Sequence, residues 1–311
     1  PTIGDLGDAR SSFFKMLKSP DRMRGATTGL VDVDRKLGGF KKGFYYVVAA
    51  RPAMGKTAFV LSSLYKSACA GFGVYMVSLE MTDSQIYARI GSELTHRKYG
   101  GRAPQYEDLL NARATDQQLD AVLRVTEEIN KVPFIFDTAP ALTIAQIRSR
   151  ARTMKAELER QGKSLDVVCV DHIGLIKASK KYAGNKTAET GEISTALREI
   201  AKELDCAVVA VSQLSRDNTK RDNKRPTLAD LRWAGEIEQD AHCVVFVHRE
   251  AYYADENAMH AQDLLRLMRD MEIIVSKNRN GAVGTVHVDL DIGFNRIDNA
   301  AVQSQYDGEA A

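Results

Sequence analysis

Residues 44 to 57 read Phe-Tyr-Tyr-Val-Val-Ala-Ala-Arg-Pro-Ala-Met-Gly-Lys-Thr, an apolar run that passes through a short loop into Gly55-Lys56-Thr57. A strand over 44–50 and a helix to Ala70 are expected around it, the strand, loop, helix order of a phosphate-binding loop. Backbone N–H groups of Ala53, Met54 and Gly55, and of the helix start through Ala58, can surround a β-phosphate, with Arg51 at the loop entrance. Lys56 brings positive charge to the β- and γ-oxygens, and Thr57 offers a hydroxyl to Mg²⁺. The usual pattern opens on glycine, where this chain has Ala50. The expectation is a chain that binds and hydrolyses a nucleoside triphosphate with a divalent metal.

Working outward, strands and helices alternate. Strands are expected over 73–79, 133–137, 166–171 and 207–212, with helices from about 80 to 94, from Thr143, and over 188–204, where Ile193, Leu197, Ile200 and Leu204 share one face. Such alternation implies an α/β domain whose mostly parallel, twisted sheet is flanked by helices. Further strands at 242–248 and 272–276, and Asn280-Gly281 between strand-like runs, predict antiparallel pairing at the C-terminal end. Domain organisation is read as a linker helix and connector over 1–28, one large α/β domain over 29–299, and a polar tail over 300–311. The first helix, near 8–18, groups Phe13, Phe14, Met16 and Leu17; it can pack on its own domain or on a neighbouring subunit.

A chain of 311 residues with net charge +2 is close to balanced, so only local basic clusters can argue for nucleic acid. Cys69, Cys169, Cys206 and Cys243 lie far apart with no C-x-x-C pair, which points away from zinc and disulfides and fits a reducing cytoplasm. Apolar runs fall well short of a membrane span, and no membrane partner is expected.

A phosphate loop needs a metal-ordering acid and a water-activating acid on nearby strand ends. Asp171 closes the run Val167-Val-Cys-Val170 and can hold magnesium, or can simply cap a turn. Glu80 ends the strand at 73–79 and can orient the attacking water as general base, or be an ordinary solvated glutamate. Gln213 ends the strand at 207–212, where its amide can hydrogen-bond the γ-phosphate and register its loss.

Together, Ala50-Arg-Pro-Ala-Met-Gly-Lys-Thr57, Ser78-Leu-Glu-Met81, Val167-Val-Cys-Val-Asp171, Ser212-Gln213, Asp230-Leu-Arg232, Ile237-Glu-Gln-Asp240 and Lys277-Asn-Arg-Asn-Gly281 resemble the DnaB family of hexameric replicative helicases, in order and in spacing. The resemblance covers nearly the whole chain and corresponds to that family's RecA-like motor domain. It implies Lys56 and Thr57 on phosphate and magnesium, Glu80 as catalytic base, Asp171 as magnesium-ordering acid and Gln213 as γ-phosphate sensor. It also implies Lys277 and Arg279 reaching a neighbour's γ-phosphate; on spacing alone they read as exposed basic residues before a turn. ATP and Mg²⁺ are the implied cofactors, although no residue is identified that reads the base. A homo-hexameric ring, single-stranded DNA travelled 5′ to 3′, a helicase loader and a primase are the implied partners, in the cytoplasm of a bacterium or a phage-infected host. The family's separate N-terminal domain is missing, which fits a truncated piece or a shorter phage- or plasmid-type relative.

Basic residues cluster at His96 to Arg102, at 177–186 with Lys180 and Lys181, and at 216–225 beginning with Arg216; each reads as solvated surface or as a DNA phosphate contact. Asp230-Leu-Arg-Trp-Ala-Gly235 resembles the family's DNA-gripping loop, with Arg232 and the backbone near Gly235 at phosphate. Here Trp233-Ala234 replaces the usual Glu-Ser, and Trp233 can stack on a base or pack against a neighbouring loop. Two other functions share the same core residues. One is a RecA-like recombinase or regulatory ATPase without unwinding activity; the other is a module that uses nucleotide only to switch assembly.

Overall fold

The computed structural model describes residues 25–127, 129–179, 184–215, 223–231, 234–254 and 260–300, together with Arg10, Phe14, Lys18 and Tyr182. Among them a nine-stranded sheet runs in the order β3-β2-β4-β5-β1-β6-β7-β8-β9. The strands are β1 (Tyr45–Ala50), β2 (Val74–Ser78), β3 (Phe134–Asp137), β4 (Val167–Asp171), β5 (Ala207–Gln213), β6 (Cys243–His248), β7 (Asp270–Asn278), β8 (Gly284–Asp291) and β9 (Arg296–Asn299). β3 through β6 in that spatial order are parallel, and β7, β8 and β9 add antiparallel at one side. This is the mostly parallel α/β architecture expected from the alternation.

Helices cover both faces. In chain order they are α1 (Val31–Leu37), α2 (Lys56–Cys69), α3 (Asp83–Tyr99), α4 (Tyr106–Leu110), α5 (Asp116–Thr126), α6 (Ile144–Arg160), α7 (Lys186–Leu204), α8 (Ala234–Asp240) and α9 (Ala261–Arg269). Every residue of β1, β2, β4 and β6 is buried, which is why these strands appear as unbroken apolar runs. Alternate residues serve opposite cores: Tyr46, Val48, Met76 and Val209 pack with α2 and α3, whereas Tyr45, Val47, Val77 and Val208 pack with α6 and α7. Ile193, Leu197, Ile200 and Leu204 all lie in the second core, as their spacing requires.

Three features differ from the sequence reading. β7 extends beyond 272–276 at both ends, and residues 279–283 link it to β8, so the Asn280-Gly281 pair sits inside a longer turn that Asn278 organises by accepting a bond from the Asn280 N–H at 3.2 Å. A further strand, β9, closes the antiparallel side. Finally, α4, α5 and α9 occupy stretches that carry few core residues: α9 has no buried residue. Cys169, Cys206 and Cys243 are buried, whereas Cys69 at the end of α2 is exposed. No described helix is long and apolar enough to cross a membrane.

Residues 25–28 pack on the body, with Ala26 bridged to Phe40 and Thr28 fully buried. At the other end, the Asn299 side chain accepts from the Val31 N–H at 2.6 Å. Of the expected helix near 8–18 only Arg10, Phe14 and Lys18 are described, with the Lys18 N–H donating to the Phe14 carbonyl at 3.2 Å, and the tail beyond Ala300 lies outside the described residues.

Candidate nucleotide site

In a parallel sheet the crevice beyond the carboxyl ends of the strands is where ligands bind, and the phosphate loop, Glu80, Asp171 and Gln213 converge there. β1 leads into a loop whose turns require left-handed backbone at Ala53 (φ 63°) and Gly55 (φ 82°). The positive φ is what favours glycine at position 55; a Cβ there would also meet the flexible end of the Met271 side chain, Cε at 2.5 Å. α2 starts at Lys56 with no side chain capping its first turn, leaving its N–H groups free to hold phosphate. Met54 is buried and anchors the loop.

Lys56 and Asp171 are both buried. Burial pushes the Lys56 ammonium below its ordinary range, with the Asp171 and Glu80 carboxylates opposing that shift. Burial likewise raises Asp171, with Lys56 opposing and Glu80 reinforcing. The opposed charges therefore offset only part of each other's desolvation. Asp171 Oδ2 accepts from the Thr57 hydroxyl at 3.4 Å, and Oδ1 is buried with no partner among the described residues. A lone buried carboxylate oxygen beside a threonine hydroxyl makes the hard-oxygen donor set that a magnesium ion takes, so the residues fit that metal.

Glu80 lies just beyond β2 with its side chain 52% exposed, and its Oε2 is 4.0 Å from His172 Nε2. His172 Nε2 lies 3.4 Å from the Gln213 amide, and His172 Nδ1 accepts from the Gly174 N–H at 3.1 Å. Glu80, His172 and Gln213 thus form a row across the ends of β2, β4 and β5.

Sequence reasoning missed His172, Arg89 and Arg249. Arg89 on α3 lies 4.1 Å over the Tyr106 ring, bonds Asn295 Oδ1 at 3.2 Å, and has a buried Nε with no partner among the described residues. Its charge opposes the rise in the Asp171 pKa. Arg249 reaches to 3.9 Å from where a Gly55 Cβ would be, and its buried Nε likewise lacks a described partner. Isolated in sequence, these residues give no local signal; the signal is their convergence on the loop in space.

Lys277 and Arg279 are elsewhere. β7 runs against β6, pairing Lys277 with Val244 and Asn278 with Cys243, at the amino-terminal edge of the parallel strands. The phosphate loop follows the opposite end of β1. Both cations are held on the carbonyl end of α8, Lys277 Nζ donating to the Glu238 carbonyl and Arg279 to that of Gln239. They are not brought together with Lys56 within one chain. Of the DNA-contact candidates, Gly235 is exposed in the first turn of α8, and Lys180, Lys181, Arg216, Arg232 and Trp233 lie outside the described residues. The described flank Leu231 bridges Leu214, which directly follows β5 at the same carboxyl edge as the loop.

The sheet order, the phosphate loop and the acid on β4 define a RecA-like P-loop NTPase domain. Comparison with known proteins makes this specific. The model of the DnaB-like helicase C terminal domain matches residues 25–299, and the chain belongs to that family. It is 34% identical over 315 aligned residues to the replicative DNA helicase DnaB of Rickettsia felis, covering 94% of this chain and 61% of that protein. The chain thus spans about three-fifths of the length of that relative. Among solved structures it resembles an isolated ATPase domain, with a TM-score of 0.83 at 27% identity over 96% of this chain and 100% of that one. A DnaB-like replicative helicase, described with its interactions with primase, superposes with a TM-score of 0.80 at 27% identity over 96% of this chain and 68% of that one.

Proposed function

We propose that this chain is the motor of a ring-shaped, homo-hexameric DNA helicase that hydrolyses ATP, travels 5′ to 3′ on single-stranded DNA and separates the duplex ahead of it. The observation that carries this reading is the split of the machinery: Lys56, Thr57, Asp171 and Glu80 share one edge of the sheet, and Lys277 and Arg279 occupy the other. Stacked head to tail, one copy's cations meet the next copy's phosphate loop.

In that arrangement the N–H groups from Ala53 to Ala58 and the Lys56 ammonium hold the β- and γ-phosphates. Thr57 and Asp171 would hold Mg²⁺, which when bound would neutralise negative charge on the transferring phosphoryl group. Glu80 takes the proton of the attacking water as its oxygen bonds to the γ-phosphorus, and ADP leaves with the electron pair of the broken bond. Its exposure suits a base that awaits closure by the next subunit. Arg279 and Lys277 of the neighbour stabilise the charge of the transition state. Gln213 contacts the γ-phosphate and couples its loss to the segments leaving the carboxyl edge, where Lys180, Lys181, Arg216, Arg232, Trp233 and Gly235 would meet DNA.

Residues 1–28 serve this ring as a linker whose apolar helix docks on the adjacent copy, and the exposed Leu119 and Leu123 on α5 offer an apolar face for it. A loader and a primase complete the set of partners, in the cytoplasm. The recombinase reading is disfavoured, since the matching relatives are DnaB helicases. Strand displacement on a forked duplex tests the proposal: ATP-dependent unwinding with DNA-stimulated turnover supports it, and DNA-stimulated turnover on filaments without unwinding would return the recombinase reading.

A further inference from the structure

Arg51, the first residue after β1, ties the phosphate loop to the turn at Glu250–Tyr253. Its Nη1 donates to the Tyr253 hydroxyl at 2.7 Å, and its guanidinium stands 5.7 and 5.8 Å from the ring centroids of Tyr253 and Tyr252. Tyr253 is stacked on buried His248, with centroids 6.0 Å apart and ring planes at 26°, and His248 in turn contacts Glu250 at 3.0 Å. Tyr252 meets Tyr253 edge to face at 5.2 Å and 83°, yet stays 49% exposed. Arg249, beside the same turn, lies against Gly55 with its Nε unpartnered among the described residues.

A tyrosine ring braced on one side by an aromatic neighbour and an arginine, and open to water on the other, is a rigid aromatic surface. It is fixed to the loop that would grip the triphosphate. We propose that Tyr252 is the platform on which the base of the bound nucleoside triphosphate stacks, with Arg51 and Tyr253 as its braces. This rests on the nucleotide reading of the phosphate loop. Stacking uses the π-face that every base offers, so the site selects by ring area: purine nucleotides bind tighter than pyrimidine nucleotides, and ATP and GTP differ little.

Calorimetric titration of the full chain in Mg²⁺ with ATP, CTP and inorganic tripolyphosphate separates base from phosphate. Tyr252→Ala is expected to weaken ATP by about tenfold, the worth of one base on one aromatic ring, and to leave tripolyphosphate unchanged. Tyr252→Phe should bind ATP like the parent, and the purine preference should shrink in Tyr252→Ala. An unchanged ATP affinity in Tyr252→Ala, or an equal loss for ATP and tripolyphosphate, would overturn the platform while leaving the phosphate grip standing. A parent chain that binds neither ATP nor tripolyphosphate would remove both readings.

Discussion

The two edges of the central sheet are built differently. At the carboxyl edge, Lys56, Asp171 and Thr57 are packed together, with the two charges drawn out of water and one carboxylate oxygen left without a described partner. At the amino edge, Lys277 and Arg279 rest on the carbonyl end of α8, with no carboxylate among the described residues bonded to either cation, and Arg279 is exposed by its turn. Buried charges are costly unless they are paired, so the first arrangement is preorganised for a ligand that arrives with its own charge and metal. The second arrangement is a pair of cations resting on neutral carbonyls, which they can exchange for a stronger anion. In the proposed ring these are the two halves of one site, and a lone chain holds them out of reach of each other.

The largest expected effect breaks the amino edge. Arg279→Ala should leave ATP affinity within a few-fold and lower kcat by about 10³-fold or more, the worth of an arginine at a transferring phosphoryl group; steady-state turnover beside equilibrium binding checks it, and unchanged turnover would make the amino edge mere surface. Next comes the carboxyl edge. Glu80→Gln should bind nucleotide normally and lower kcat by about 10²- to 10⁴-fold, since the phosphate grip survives and water activation is lost. Normal turnover would pass the role of base to another group.

A smaller effect sharpens the comparison on the DNA side. Arg232→Ala should weaken single-stranded DNA binding and reduce the slope of log K against log salt by about one; an unchanged slope would take Arg232 off the phosphate backbone. The smallest concerns the foot of the amino edge. His242 Nδ1 accepts from the Tyr45 N–H at 3.1 Å, and burial, aided by Arg279 and other nearby cations, lowers its pKa below 6.5. Its folded form stays neutral where the unfolded form takes a proton, so its contribution to stability is full above about pH 6.5 and declines as pH falls below that value. Melting temperature against pH should show this loss, and His242→Gln should flatten it.

How much of this was legible in the sequence follows from how local each signal is. The parallel strands could be read because burial on both faces leaves unbroken apolar runs, and Glu80, Asp171 and Gln213 because each sits at or just past the end of such a run. α5 begins with a Thr115 to Gln118 capping box that is visible in the letters, but Leu119 and Leu123 face solvent and the apolar stripe was too thin to read as a helix. His172 could not be read as part of the row, since its role depends on three separate strand ends meeting. The Arg51 brace joins residues 202 positions apart, and no sequence spacing announces it.

The central claim is that two copies complete one site, and mixing tests it most directly. Lys56→Ala lacks the phosphate grip but keeps its cations, and Arg279→Ala keeps the grip but lacks its arginine. Each alone should hydrolyse ATP poorly. Mixed in equal amounts and allowed to reassemble, they are predicted to turn over ATP well above the average of the two alone, because one copy's arginine reaches the other's intact loop. Turnover equal to that average, in rings shown to contain both variants, would contradict the account.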